Sequence, residues 1–255
     1  HLVETSPHLA AQQQALLLKK ASRGWLPRPT LDWHTSVSAA LAAADGTALI
    51  YSNELVDAFA PVVLRSIGGQ WQEVCLEDQQ GKLLPAAHPI RPETAARLAR
   101  FGSTIWDDAS PWPDGQTVEV HLSFAQWLGQ WTSAWKQGRM LTIDYGGCPP
   151  QLYYRRPYGT LRGYFHHQRI EGDECFERFG HQDLTCDVNF ADLQRWGEAL
   201  RLETLNAWSQ EAFILDHWPA AARRRTRDKQ LAFLLDPEGM GSAVQVLEQR
   251  PRSLE

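Results

Sequence analysis

Short apolar runs that end abruptly in an acid or an amide, each followed by helix, constrain this chain more than any other feature. His1-Leu2-Val3 closes on Glu4, and Ser6-Pro7 then supplies an N-cap and a proline at the first helical position. A helix over residues 7–20 is expected, with Leu9, Leu16 and Leu17 near one face and Lys19 and Lys20 at its negative carboxyl end. Leu31-Asp32-Trp33-His34 and Ala48-Leu49-Ile50-Tyr51 are two more brief apolar runs after turn signals, the second leading into Ser52-Asn53-Glu54. Met140-Leu141-Thr142-Ile143 ends on Asp144, with Gly146 and Gly147 forming a turn. Strands alternating with helices in this way imply an α/β fold built on a parallel sheet.

At 255 residues the chain is long enough for one large domain or two small ones with a sizeable core. Its 43% hydrophobic and 22% charged residues exclude collagen-like and wholly disordered chains. No apolar run approaches the roughly 18 residues of a membrane span, so no membrane insertion is expected. The net charge of −5 removes any global attraction to nucleic acid. The one strong basic run, Arg223-Arg224-Arg225-Thr226-Arg227-Asp228-Lys229, reads as a solvated helix face. Cys75, Cys148, Cys175 and Cys186 form no C-x-x-C pair and read as reduced thiols of a cytoplasmic protein.

The texture changes between the strands. Residues 62–88 alternate around Gly68-Gly69 and Gly81, as a small antiparallel insertion would. Helix is expected over 92–100 and strand over 118–121, after which Ser123 and Gln126 have capping-box spacing. Phe124, Trp127, Leu128, Trp131 and Trp135 then fall at helical spacing, more simply a core face than a carbohydrate or cation cage, with Gly138 as the stop. Asn189 reads as the cap of a helix that buries Leu193, Trp196 and Leu200; a strand over 212–215, a helix over 223–235 and a strand over 243–247 close the chain. The division expected is 1–61, an inserted segment over 62–122, and 123–255 with an insertion at 148–188.

In open parallel sheets, ligands bind at the carboxyl ends of strands, where Glu4, Ser52, Asn53, Glu54 and Asp144 collect. An acid such as Glu4 there can accept both hydroxyls of an adenosine ribose, or can simply be solvated. Asn53 and Asp57 can equally be caps, and Asp144 before glycine can be a turn-former. His166, His167 and His181 lack a standard ligand spacing, so no metal is expected.

YSNELVDAFAPV (51–62), LTIDYGG (141–147), TLRGYFHHQ (160–168) and DLTCDVNFADL (183–193) occur in an order that resembles the MidA family of S-adenosylmethionine-dependent methyltransferases. VETSPHLAAQQ (3–13) and Trp33-His34 extend the resemblance over nearly the whole chain. It implies a class I methyltransferase, Rossmann-like fold with S-adenosylmethionine as cofactor, contacted by Glu4, Ser6, Asp32, Trp33 and Ser52. It also implies that residues 1–61 are part of the cofactor-binding half and 123–255 the second half of the methyltransferase domain, with transfer to a protein arginine, which for the mitochondrial members lies on a subunit of a respiratory complex. Glu54 and Asp57 of the NELxDA-like segment, with Asn53, are then the catalytic candidates. Paired carboxylates can hold the guanidinium charge on one nitrogen while another becomes nucleophilic. Asp144, Tyr145, Arg162, His166 and His167 would face the substrate.

Members of that family carry a first strand and glycine-rich loop upstream of the position of Glu4. The expectation is therefore an N-terminally truncated chain, with either a gap or two new sheet edges between residues 1–5 and 48–51. Two rivals remain at this level: a catalytically silent assembly or binding factor on the same fold, and a dinucleotide enzyme in which Glu4 reads the ribose of NAD.

Overall fold

The computed structural model describes residues 1–22, 31–107, 112–166, 168–178 and 180–252. Strand β1 (Leu2–Val3) leads into helix α1 (Pro7–Ser22), and β2 (Trp33–His34) into α2 (Val37–Ala43), whose N-cap Ser36 accepts the Ala39 N–H. The long edge strand β3 (Thr47–Asn53) follows. An antiparallel sheet, β4 (Val62–Ile67), β5 (Gln70–Gln79), β6 (Lys82–Pro89) and β7 (Thr117–Val120), has the order β6-β5-β4-β7, with α3 (Pro92–Phe101) between its last two strands in sequence. Helix α4 (Leu122–Trp131) then delivers the chain to β8 (Gln137–Gly147).

A small sheet of β9 (Arg162–Phe165), β10 (Gln168–Glu171) and β11 (Asp183–Thr185) precedes β12 (Val188–Asn189) and α5 (Phe190–Ala199). The chain ends through β13 (Leu202–Ser209), α6 (Gln210–His217), three short helices and β14 (Val244–Pro251). Strand β8 is the axis of the main sheet: β3 and β12 run parallel to it, and β14 runs antiparallel, with β13 beyond. The fold is mixed α/β, as the strand and helix alternation requires.

Two glycines allow this axis to be approached closely. Gly138 has φ of +127°, and a Cβ there would lie 1.8 Å from the Ala48 carbonyl oxygen on β3. A Cβ on Gly146 would lie 2.0 Å from the Val188 carbonyl oxygen on β12. One core runs beneath the sheets from Leu41 and Val56 through Leu64, Val118 and Leu128 to Trp196 and Leu247. Phe124, Leu128, Trp131 and Trp135 are buried in it, so most of the tryptophan stripe is a core face.

Several local expectations are corrected. The capping box at Ser123 does not form: α4 starts two residues earlier, with buried His121 at its N-cap, and the Ser123 hydroxyl donates to the Ala60 carbonyl. Helix α4 also stops at Trp131, and Gly138 lies inside β8. Residues 212–215 are helical within α6 because the Ser209 hydroxyl caps it through the Ala212 N–H; a short apolar run cannot by itself distinguish strand from helix. Asp228 accepts the Gln230 and Leu231 N–H groups and so starts a new helix, dividing the one expected over 223–235. The basic run is exposed throughout, as a solvated surface.

The apolar face expected on α1 is not buried, and Leu16 is 54% exposed. Strand β3, which reads as a buried parallel strand, leaves Leu49 72% and Tyr51 63% exposed. The reason is shared: among the described residues β1 pairs with β2 only, β3 pairs with β8 only, and nothing covers the faces between.

Gly138→Ala is expected to cost about 3 kcal/mol, since it combines a disfavoured φ with a backbone collision. Urea denaturation would measure it. An unchanged midpoint would contradict the close β3–β8 approach.

Candidate active site at the carboxyl ends of the strands

Along β8 the side chains of Met140, Thr142 and Asp144 alternate onto the buried face, which takes the Asp144 carboxyl wholly out of water. Its Oδ2 accepts the backbone N–H groups of Val56 (2.9 Å) and Asp57 (3.3 Å), and its Oδ1 accepts that of Tyr145 (2.9 Å). The carboxyl therefore fixes the single turn Val56–Ala58 that follows β3. Burial, reinforced by the charge of Asp57, pushes the Asp144 pKa up to about 7 against the pull of the three N–H donors.

Asp57 itself is held from afar. Its Oδ2 accepts the Thr185 hydroxyl at 2.9 Å, while its Oδ1 is buried without a hydrogen-bond partner. Glu54 sits at φ of +49°, a region uncommon outside glycine, and its N–H donates to the Ile143 carbonyl at 2.9 Å, continuing the β3–β8 ladder. Its exposed carboxylate accepts from Asn53 Nδ2 at 3.4 Å.

A groove of about 810 Å³ lies between β1 and β3. Glu4, Ser52 and Asn53 line it at the strand ends, and Leu49, Trp127 and Trp131 line it below. The Trp131 Nε1 donor is buried without a partner. Glu4 is steadied from behind: Oε1 accepts the Ser6 N–H (2.9 Å), and Oε2 accepts Gln13 Nε2 (3.0 Å), whose amide oxygen accepts the Trp33 indole (3.0 Å). Ser6 and Trp33 thus reach the groove only through Glu4. Asp32 turns away, its carboxylate 3.8 Å from the His1 ring.

Tyr145 and Arg162 meet in a second cavity of about 510 Å³. His166, with its ring 4.2 Å from that of Phe165, lines a separate cavity of about 430 Å³, and His167 lies outside the described residues. Among the described residues no three His, Cys, Asp or Glu side chains are grouped to hold a metal ion, and no helix is long and apolar enough to cross a membrane. Sequence reasoning missed Thr185 as a partner of Asp57, together with Arg156, Arg169 and Asp187 of the second cavity. Thr185 and Asp57 are 128 residues apart, so no local spacing joins them.

Residues 1–207 match the family model described as "Putative S-adenosyl-L-methionine-dependent methyltransferase". The chain belongs to that family. Two solved structures share the fold of this methyltransferase-family chain, each with a TM-score of 0.75. One is a Burkholderia thailandensis protein bound to S-adenosyl-homocysteine and described as a "likely methyl transferase", 24% identical, which aligns with 99% of this chain. The other, from the same organism and described as an uncharacterized superfamily protein, is 22% identical over the same share. The chain spans 64% and 66% of their lengths. No curated protein matches it.

The raised Asp144 pKa gives this methyltransferase-family chain a pH signature. A carboxyl whose pKa is higher folded than unfolded favours the fold while protonated, and that contribution disappears as pH rises from about 4 through about 7. Stability should therefore fall across this window by an amount on the order of a few kcal/mol. The Asp144→Asn variant should lack that part of the slope. Urea midpoints at pH 5 and pH 8 would test this, and identical slopes in both proteins would contradict it.

Proposed function

We propose that the protein transfers a methyl group from S-adenosylmethionine to a protein arginine at the carboxyl ends of β1, β3 and β8. The observation that carries the reading is the Asp57–Asp144 pair. It is a buried carboxyl poised near neutrality beside a carboxylate with one unpartnered oxygen.

The residues at the groove fit the donor. Glu4 ends β1 facing the groove, with one lone pair on each carboxylate oxygen already engaged and the others available to two ribose hydroxyls. Ser52 and Asn53 offer polar groups on the opposite lip. When bound, the donor supplies an electrophilic methyl on a sulfonium.

The chain's own residues then have two tasks. The first is alignment, because an in-line displacement depends on holding the acceptor nitrogen at close range. Glu54 and Asp57, on either side of Leu55 and Val56 in the turn clamped by Asp144, would grip the guanidinium from two positions and hold its charge on the nitrogens that do not react. The second is the proton. Methylating a guanidinium that ends as a cation releases one proton from the attacking nitrogen, and a carboxyl poised near pH 7 can accept it. Asn53 orients Glu54, and Thr185 orients Asp57.

The sequence resemblance alone points to a respiratory-complex subunit as the acceptor.

Glu54→Gln and Asp57→Asn keep shape and remove charge. Transfer of labelled methyl to an arginine-containing protein should fall by about 100-fold or more, while donor affinity changes little. Donor binding lost in parallel would put these residues in the cofactor pocket instead. Glu4→Ala should do the converse, weakening donor binding by about 1.5–3 kcal/mol in calorimetry. An unchanged affinity would remove Glu4 from the ribose site.

A further inference from the structure

The second cavity lies beside the catalytic candidates but uses the other side of β8. Asp144 faces the Val56–Ala58 turn, and the next residue, Tyr145, faces the 510 Å³ space between the end of β8 and the small β9–β11 sheet. Its charged lining is three guanidiniums, Arg156, Arg162 and Arg169, against one carboxylate, Asp187. In a chain of net charge −5, such a concentration does not follow from composition.

The guanidiniums are held differently. Arg162 is largely buried, and its Nη1 donates to the Thr160 carbonyl (3.2 Å) and to Asp187 Oδ1 (2.6 Å), so its fork is fixed. Arg156 takes the other oxygen of the same carboxylate, leaving two cations on one anion. Arg169 pairs at 2.5 Å with Glu171, which does not line the cavity; an exposed pair of this kind is worth little and exchanges readily. Tyr145 and Tyr164 add phenolic groups at the wall.

We propose that this cavity is an anion subsite for the acidic side chains of a protein acceptor, flanking the residue that reacts at Asp57 and Asp144. The proposal rests on the acceptor being a protein, as the proposed function has it. Guanidinium forks match planar carboxylates in two-point hydrogen bonds. A volume of about 510 Å³ takes a side chain together with its backbone and is far larger than a single inorganic ion needs. Asp187 inside the cavity also favours a monoanion over a dianion, since like charges repel.

The test is binding without the methyl donor, read by fluorescence anisotropy. One labelled peptide carries a central arginine with two glutamates on each side, and the other carries glutamines in their place. The glutamate peptide is expected to bind about tenfold tighter, with an advantage that shrinks as salt is raised and vanishes in R156Q/R169Q, whose side chains are exposed enough for the fold to persist. Equal binding of the two peptides, or an advantage that survives in R156Q/R169Q, would overturn the proposal. Displacement of the glutamate peptide by equimolar inorganic phosphate would overturn it as well, in favour of a phosphate site. Methylation assays separate the two readings. Tighter binding of the glutamate peptide that depends on Arg156 and Arg169, with no methylation of either peptide, keeps the subsite and removes the transferase reading, whereas equal binding and equal methylation of both peptides do the reverse.

Discussion

One buried carboxyl organises the carboxyl ends of the strands in this protein. Asp144 takes three backbone N–H groups, two from the turn after β3 and one from its own strand. The two turn donors would otherwise lose their partner, at a cost of about 1–3 kcal/mol for each that is buried. Because the same carboxyl is withdrawn from water beside Asp57, it is held near neutrality. A single position thus fixes the geometry of the Glu54–Asp57 segment. Thr185 completes the arrangement by binding Asp57 from β11, which links the small sheet to the end of β3.

The division of space around β8 follows from the pleat. One residue turns toward the carboxyl pair and the next toward the arginine-lined cavity, so the strand end presents carboxyls on one side and guanidiniums on the other. The groove on the far side of β3 is different in character. Its floor is aromatic and aliphatic, its polar groups gather at the strand ends, and it separates two strands that do not pair with each other. Apolar walls with a few convergent polar groups are what a small-ligand site requires.

Local chemistry makes much of the fold legible in the sequence. Strands β3 and β8 announce themselves by apolar runs with polar ends, and Asn189 caps α5 through the Ala191 and Asp192 N–H groups as its position suggests. What pattern could not show was which apolar surfaces stay open, because burial of Leu16, Leu49 or Tyr51 depends on neighbours that local spacing does not encode. At the site, residues close in sequence were readable as a group, whereas the clasp between Asp57 and Thr185 and the gathering of Arg156, Arg169 and Asp187 depend on contacts across the whole fold. Ser6 and Trp33 illustrate the same boundary: each lies next to the groove in sequence terms, yet in space each acts behind Glu4.

Asp144 stands at the centre of this arrangement, and its protonation can be read directly. Labelling the aspartates with ¹³C at the carboxyl carbon and following them by NMR from pH 3 to pH 9 would resolve the resonance that disappears in Asp144→Asn. This resonance is expected to titrate near pH 7, and an arginine-containing peptide to displace the midpoint downward by stabilising the ionised form. A midpoint near the ordinary aspartate value of about 4, unmoved by the peptide, would contradict it.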